Sequence, residues 1–238
     1  LLHRMLARDP ELRHLASWEA IHPAPLPSPS RRLAARVGLD GYDPRPPSVG
    51  RDRRVAAAEL AERALSFMAP DFFAIHPVQA HAPEEDCLLF DHTFHSTVFE
   101  ATQRLPGFSR WLEHQDHGWA YAEYRDTLRY LSWQRPPGSW VLKTPQHMEH
   151  LELLVRTFPD ARIIQPHRDP VRAVSSLCSM LSHGWGVFSD HVDPTEVGRL
   201  WGGKVMRMTD ACLAARERLP AEPFLDVSYY DLVSDPLA

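Results

Sequence analysis

The stretch Trp140–Met180, WVLKTPQHMEHLELLVRTFPDARIIQPHRDPVRAVSSLCSM, alternates strand and helix signals. Its first residues, 140–143, form a short apolar run that a proline stops, which predicts a buried strand. Residues 146–158 carry apolar side chains at helical spacing, and 161–165 form a second apolar run. Asp169-Pro170 then supplies a helix N-cap with proline at the first helical position. This order predicts two parallel strands joined by a right-handed crossover.

Lys143 and Arg168 stand at the carboxyl ends of these two predicted strands. Ligands of open parallel sheets bind beyond those ends, and the unpaired amides and dipole of the helix beginning at Pro170 favour negative charge. The sequence therefore predicts one anion site for phosphate or sulfate. The alternatives are a surface ion pair of Arg168 with Asp169, and a Lys143 stem that only covers apolar surface.

Three segments of this stretch resemble the bacterial branch of the sulfotransferases that use 3′-phosphoadenosine-5′-phosphosulfate (PAPS). They are WVLKTPQH at 140–147, FPDARII at 158–164, and HRDP at 167–170 with Ser176 following. The resemblance implies an α/β fold with a P-loop-NTPase-like parallel sheet flanked by helices and a helical insertion. It also implies that Arg168 and Ser176, which match the family's arginine-to-serine spacing, bind the nucleotide 3′-phosphate.

A later segment extends the nucleotide site that the resemblance implies. Tyr229 matches a tyrosine of the family's nucleotide pocket, although Tyr230 stands where the family often has an acid. The cofactor implied is PAPS, whose product is 3′,5′-bisphosphoadenosine, and no metal is implied. The acceptor implied is a hydroxyl or amine of a small molecule.

The catalytic residues implied are Lys143, which would stabilise the transferred sulfonate, and a general base. His147 is one candidate for the base, because histidine titrates near neutrality and some branches carry a histidine after a similar lysine. Glu19 is the other, because further branches place a glutamate shortly after the helix that follows the phosphate loop. Both stay open, with Glu19 slightly ahead.

The organisation implied is a single sulfotransferase-like domain over 1–238, truncated at both ends, with a helical insertion at 51–135 that would set acceptor specificity. Because residues 1–6 resemble the family helix after the phosphate loop, the loop for the 5′-phosphosulfate is expected upstream of Leu1. Helical spacing predicts further helices at 51–68, 83–101, 117–133 and from 193 onwards, and a strand at 223–229. Proline clusters at 23–29 and 44–47 predict rigid connections.

Composition narrows the classes of protein. A formal net charge of -5 argues against a general nucleic-acid binder, and no apolar run reaches the length of a membrane span. The widely spaced cysteines, Cys87, Cys178 and Cys212, suggest neither a disulfide framework nor a metal motif, which favours a reducing compartment, the cytoplasm. The sequence leaves the oligomeric state open. It also leaves two alternative functions, a kinase or phosphotransferase of related P-loop fold and a non-catalytic domain that binds a nucleotide or a partner.

Overall fold

The computed structural model describes residues 1–25 and 52–235. The chain is an α/β protein in which short parallel strands are flanked by helices. The strands are β1 (Leu12–His14), β2 (Ser139–Val141), β3 (Ile163–His167) and β4 (Phe224–Ser228). The α-helices are α1 (Leu2–Leu6), α2 (Ser17–Ile21), α3 (Arg53–Met68), α4 (Pro70–Ile75), α5 (Val98–Thr102), α6 (Pro106–Leu112), α7 (Gly118–Trp133), α8 (Leu151–Thr157), α9 (Pro170–Gly186), α10 (Pro194–Arg218) and α11 (Tyr229–Ser234). The first 3₁₀ helix is Asp86–Thr93 and the second is Pro145–His150.

The four strands form two separate parallel pairs. β1 pairs in parallel with β2, and β3 pairs in parallel with β4, whereas no pairing joins β2 to β3 within the described ranges. The sequence predicted parallel strands at 140–143 and 161–165 joined by a crossover, and in the structure each of them pairs in parallel with a different partner strand. Local patterning detects a strand, but it does not specify which distant strand satisfies its backbone hydrogen bonds. The three residues of β1 escaped detection because the strand is short and has Arg13 at its centre.

Helix boundaries agree with the sequence wherever capping signals are strong. Asp169 caps α9, and its carboxylate accepts hydrogen bonds from the amides of Val171 at 2.8 Å and Arg172 at 3.2 Å. Asp193 caps α10 in the same way, through the amide of Thr195 at 2.9 Å. Both helices have proline in the first turn, where its missing amide hydrogen is not needed. Predicted helices at 51–68 and 117–133 correspond to α3 and α7.

Two predicted helices are divided in the structure. The helix predicted over 83–101 is the first 3₁₀ helix followed by α5, and Phe94 between them has a φ of 58°. A left-handed residue cannot continue a right-handed helix, so the backbone turns there. Similarly, the helix predicted over 146–158 begins as the second 3₁₀ helix and continues as α8. The proline clusters at 23–29 and 44–47 lie almost wholly outside the described residues.

The main apolar core lies where α7 packs on the first 3₁₀ helix. Leu131 and Tyr121 of α7 are fully buried there, and the ring of Phe90 stacks on that of Tyr124 with 4.6 Å between centroids. The aromatic stripe of α7 is thus core, which is the commoner fate of such a stripe. Cys87, Cys178 and Cys212 are free thiols. In the described part of the chain, no helix combines the length and apolarity that crossing a membrane requires.

Candidate active site

Arg168 and Tyr229 meet at the carboxyl ends of β3 and β4. The last paired residues of these strands are His167 and Ser228, so each site residue directly follows its strand. The guanidinium carbon of Arg168 lies 4.8 Å from the centroid of the Tyr229 ring. A cation over an aromatic face at an exposed site is worth about 0.5–1 kcal/mol. The structure therefore brings together two of the residues that the sequence assigns to the nucleotide.

The charges beneath this pair leave Arg168 available to an anion. Asp226 of β4 accepts hydrogen bonds from both terminal nitrogens of Arg216, at 2.6 and 2.7 Å, and from His167 Nε2 at 2.6 Å. These hydrogen bonds, first those from Arg216 and then that from His167, hold the pKa of Asp226 well below its ordinary value. Among residues 1–25 and 52–235, Arg168 forms no ion pair with any carboxylate, Asp169 included. The surface-pair alternative is thus not the arrangement seen.

The amino-terminus of α9 is less open than the sequence suggested. The carboxylate of Asp169 already accepts from two of its first amides, so these donors are paired rather than free for a ligand. This corrects the expectation of an anion site built on unpaired amides. Ser176 lies exposed on α9, and its hydroxyl has no hydrogen-bond partner in the part of the chain that the structure describes.

Lys143 lies at the other strand pair, just after β2. Its Nζ forms an ion pair with the carboxylate of Glu85, and its carbonyl oxygen accepts from the amide of Asp86 at 3.3 Å. The sequence placed Lys143 and Arg168 at the carboxyl ends of two parallel strands, facing one crevice. Because β2 and β3 are not paired, that reason for a shared site no longer holds, and the described residues show no contact between the two side chains.

His147 belongs to a buried polar network that the sequence did not reveal. Its Nε2 lies 3.0 Å from Oδ2 of Asp86, and its Nδ1 lies 2.7 Å from the hydroxyl of Tyr121. Because an ionised carboxylate only accepts, Nε2 carries the hydrogen, and Tyr121 then donates to Nδ1. Tyr124 also donates its hydroxyl hydrogen to Asp86. His147 is 14% exposed, whereas Asp86 is fully buried.

The pKa of Asp86 reflects this network. Burial alone would raise it, but the electrostatic influence of His147 and the hydrogen bonds from His147 and Tyr124 outweigh burial and hold the pKa below its ordinary value. Burial raises the pKa values of Tyr121 and Tyr124 well above that of a free phenol, so both stay neutral donors. Asp86 therefore fixes both the tautomer and the orientation of His147.

Two consecutive acids hold two predicted catalytic residues. Glu85 pairs with Lys143 and Asp86 pairs with His147, so the start of the first 3₁₀ helix positions the segment after β2. In the sequence, these acids fall at the start of the helix predicted over 83–101. Two adjacent acids and a lysine and histidine four residues apart could have suggested these pairs. No local sequence pattern, however, links positions that lie about 60 residues apart along the chain.

Glu19 lies apart from these residues, on α2. It is 1% exposed, and its Oε1 lies 2.6 Å from Nε of Arg135. Its Oε2 accepts from the amide of Ala16 at 3.2 Å, which caps the helix. Burial raises the pKa of Glu19 despite the opposing charge of Arg135. Its role as a base stays a prediction, while its contacts are those of a helix cap and a buried ion pair.

The protein is thus an α/β protein that has a cation and an aromatic ring at the ends of two paired parallel strands. A histidine that is hydrogen-bonded to a buried carboxylate follows β2 a few residues along the chain. No group of three histidine, cysteine or acidic side chains in the described part of the chain is arranged to hold a metal ion.

Comparison with known proteins assigns the chain to a family. A profile of the sulfotransferase family matches residues 1–238, and the chain belongs to that family. Sulfotransferase STF1 from Mycobacterium tuberculosis H37Rv is similar in structure, with a TM-score of 0.78 and 28% identity over 99% of this chain and 60% of that one. Sulfotransferase STF9 from Mycobacterium avium gives a TM-score of 0.77 and 29% identity over 99% of this chain and 57% of that one. The chain thus spans less than two thirds of either structure's length. A search of curated protein sequences returned no significant match.

Proposed function

We propose that the protein transfers a sulfuryl group from PAPS to a hydroxyl or amine of a small-molecule acceptor. The observation that carries the proposal is the pairing of Arg168 with Tyr229 at the strand ends, in a chain of the sulfotransferase family. An exposed guanidinium without a carboxylate partner among the described residues suits a phosphate, which it binds through two parallel hydrogen bonds. The adjacent phenol ring suits the flat face of a purine.

Within this proposal the nucleotide 3′-phosphate binds Arg168 and the hydroxyl of Ser176, with Tyr229 beside the nucleoside. Lys143 stabilises charge on the transferred sulfonate once it exchanges Glu85 for that group. His147 acts as the general base, because Asp86 holds its ring in one tautomer and leaves Nδ1 basic. To take a proton, Nδ1 must exchange the Tyr121 hydroxyl for the acceptor. The single domain over 1–238 and the acceptor-selecting role of the helical segment 51–135 belong to the same proposal.

The test is calorimetric binding of 3′,5′-bisphosphoadenosine to the full-length protein. Arg168→Ala removes charge-assisted hydrogen bonds worth about 1.5–3 kcal/mol, so we expect affinity to fall at least about tenfold. The matched control is Arg129→Ala, which removes an equally charged side chain that is 76% exposed on α7 and should leave affinity unchanged. Absence of binding, or equal affinity of wild type and Arg168→Ala, would show that the nucleotide assignment is wrong.

Turnover with labelled PAPS separates the two candidate bases. If His147 is the base, His147→Ala should lower kcat at least about a hundredfold with nucleotide affinity unchanged. Glu19→Gln should then act mainly through stability, and its folded fraction should retain turnover. The reverse pattern would transfer the role to Glu19.

A further inference from the structure

A cavity of about 490 Å³ is lined mainly by α6 and α10. This volume is in the range that holds a small organic molecule. None of the residues proposed for the nucleotide or the chemistry lines it. Its charged lining residues are three carboxylates and five cations, namely Glu100, Glu113, Glu196, Arg104, Arg110, Arg199, Lys204 and Arg207. The cavity therefore has an excess of positive charge, although the formal net charge of the chain is -5.

Two arginines of this cavity have no carboxylate partner. Each of the three carboxylates is already paired with a different cation, in the ion pairs Arg104–Glu196, Lys204–Glu100 and Arg207–Glu113. The guanidinium groups of Arg110 on α6 and Arg199 on α10 form no ion pair or hydrogen bond with any residue in 1–25 or 52–235. The hydrogen bond from Arg104 lowers the pKa of Glu196, and the charge of Arg199 adds to this effect. The excess positive charge thus belongs to Arg110 and Arg199.

A buried network around Glu100 forms part of the cavity wall. Glu100 and Lys204 are each only 3% exposed. The Nζ of Lys204 and the hydroxyl of Ser109 both donate hydrogen bonds to the Glu100 carboxylate. Trp185 Nε1 donates to the carbonyl oxygen of Glu100 at 3.0 Å, which ties α9 to the same wall. Because Lys204 and Ser109 already satisfy this carboxylate, it does not offset the charge of the two free arginines.

A smaller cavity, of about 370 Å³, adjoins the charged one. The residues that line both cavities are Glu113, Lys204 and Arg207. Gln146 and His150 also line the smaller cavity, and they belong to the 3₁₀ helix that carries His147. Both cavities also take lining residues from the helical segment 51–135, whose proposed role is to select the acceptor. The shared residues therefore place the charged cavity next to the one that borders the helix of the candidate base.

We propose that the acceptor carries an anionic group, such as a carboxylate, sulfate or phosphate, and that Arg110 and Arg199 bind this group. The inference rests on the proposed function and specifies the chemical class of the acceptor. A guanidinium binds such oxyanions through two parallel hydrogen bonds. A concave surface with an excess of one charge also concentrates ligands of the opposite charge. Because Arg168 does not line this cavity, the anionic group of the acceptor and the nucleotide 3′-phosphate bind at separate places.

Calorimetry with phenyl phosphate as the probe tests the inference. The full-length protein is first saturated with 3′,5′-bisphosphoadenosine, which occupies the proposed nucleotide site, and the ionic strength is kept low to limit screening. We expect phenyl phosphate to bind, and phenol and benzylamine to bind at least about tenfold more weakly. Combining Arg110→Gln and Arg199→Gln in one chain removes both free charges, so it should weaken phenyl phosphate binding at least about tenfold. The affinity of this double variant for 3′,5′-bisphosphoadenosine should equal that of wild type.

The matched control is Arg156→Gln, because Arg156 is an exposed arginine of α8 that lines neither cavity. This variant should bind phenyl phosphate as wild type does. Arg168→Ala should also bind phenyl phosphate as wild type does while its affinity for 3′,5′-bisphosphoadenosine falls, so failure of this inference is distinguishable from failure of the proposed function. Absence of phenyl phosphate binding, equal binding of phenol, full affinity in the double variant or an equal loss in Arg156→Gln would each overturn the inference.

Discussion

Replacing Asp86 with asparagine tests whether the buried network around His147 is held by charge. Asp86 is fully buried and accepts from His147 Nε2 at 3.0 Å and from the Tyr124 hydroxyl. Asparagine keeps one oxygen acceptor but converts charge-assisted bonds, worth about 1.5–3 kcal/mol each, into neutral ones of about 1 kcal/mol. Part of that loss is offset because a charge is no longer buried. We expect Asp86→Asn to lower the free energy of unfolding by about 2–3 kcal/mol at pH 7.

The same variant makes a prediction about pH. The pKa of Asp86 is below its ordinary value in the folded protein, so its ionised form stabilises the fold. This stabilisation is fully present above the unfolded pKa of about 3.9 and is lost as pH falls through the lower folded value. The difference in unfolding free energy between wild type and Asp86→Asn should therefore be constant from about pH 7 to pH 5 and shrink below about pH 4.

Urea denaturation followed by tryptophan fluorescence measures both quantities. Asp126→Asn is the control, since the exposed Asp126 pairs with Arg125 and Arg129 and should change stability by about 1 kcal/mol at most. A double-mutant cycle with His147→Gln should give a coupling of about 1–2 kcal/mol between positions 86 and 147. Unfolding free energies within about 0.5 kcal/mol for wild type and Asp86→Asn at pH 7, or a gap independent of pH, would refute this reasoning.

Three further predictions concern stability and use the same urea assay. Lys204→Met leaves Glu100 as an unpaired buried charge and should lower the free energy of unfolding by about 3–5 kcal/mol. Arg104→Met, in the more exposed pair with Glu196, should lower it by about 1 kcal/mol or less, and similar losses in the two variants would contradict this. His150 binds no proton in the folded protein until about pH 3, while the unfolded chain does so near 6.5, so stability should fall below pH 6.5 by up to about 1.4 kcal/mol per pH unit. His150→Gln should flatten that slope, and an unchanged slope would exclude His150 as its source. Leu131→Ala opens a void in the main core and should cost about 2–5 kcal/mol, against little change for the exposed Leu213→Ala.

The parts of the fold that the sequence predicted are those with local causes. The caps at Asp169 and Asp193 are each an acid followed by proline, and the structure places helix starts at both. The apolar stripe of α7 recurs over about three turns, which is enough for a helical period to be distinguished from chance. By contrast, the break at Phe94 depends on one left-handed residue of a type that rarely adopts that conformation, and no sequence pattern marks it.

The parts that the sequence missed depend on contacts between distant segments. Strand neighbours are chosen by tertiary packing, so β2 pairs with a three-residue strand that has no apolar pattern of its own. Lys143 and His147 pair with Glu85 and Asp86, which tertiary packing likewise brings from a distant part of the chain. Arg168 and Tyr229 lie together because each directly follows a strand, and the parallel pairing of those strands brings their ends level. Their role at a nucleotide stays a prediction.

The choice between Glu19 and His147 illustrates how position along the chain and physical environment give different answers. A general base needs a lone pair that the substrate can reach. Burial raises the pKa of Glu19, which by itself would make its carboxylate a better base. Yet both of its oxygens are engaged, one by the guanidinium of Arg135 and one by a backbone amide. Separating a buried ion pair costs about 3–5 kcal/mol, whereas exchanging the neutral hydrogen bond between Tyr121 and His147 Nδ1 costs about 1 kcal/mol. The smaller cost, together with the greater exposure of His147, favours the histidine as the proton acceptor.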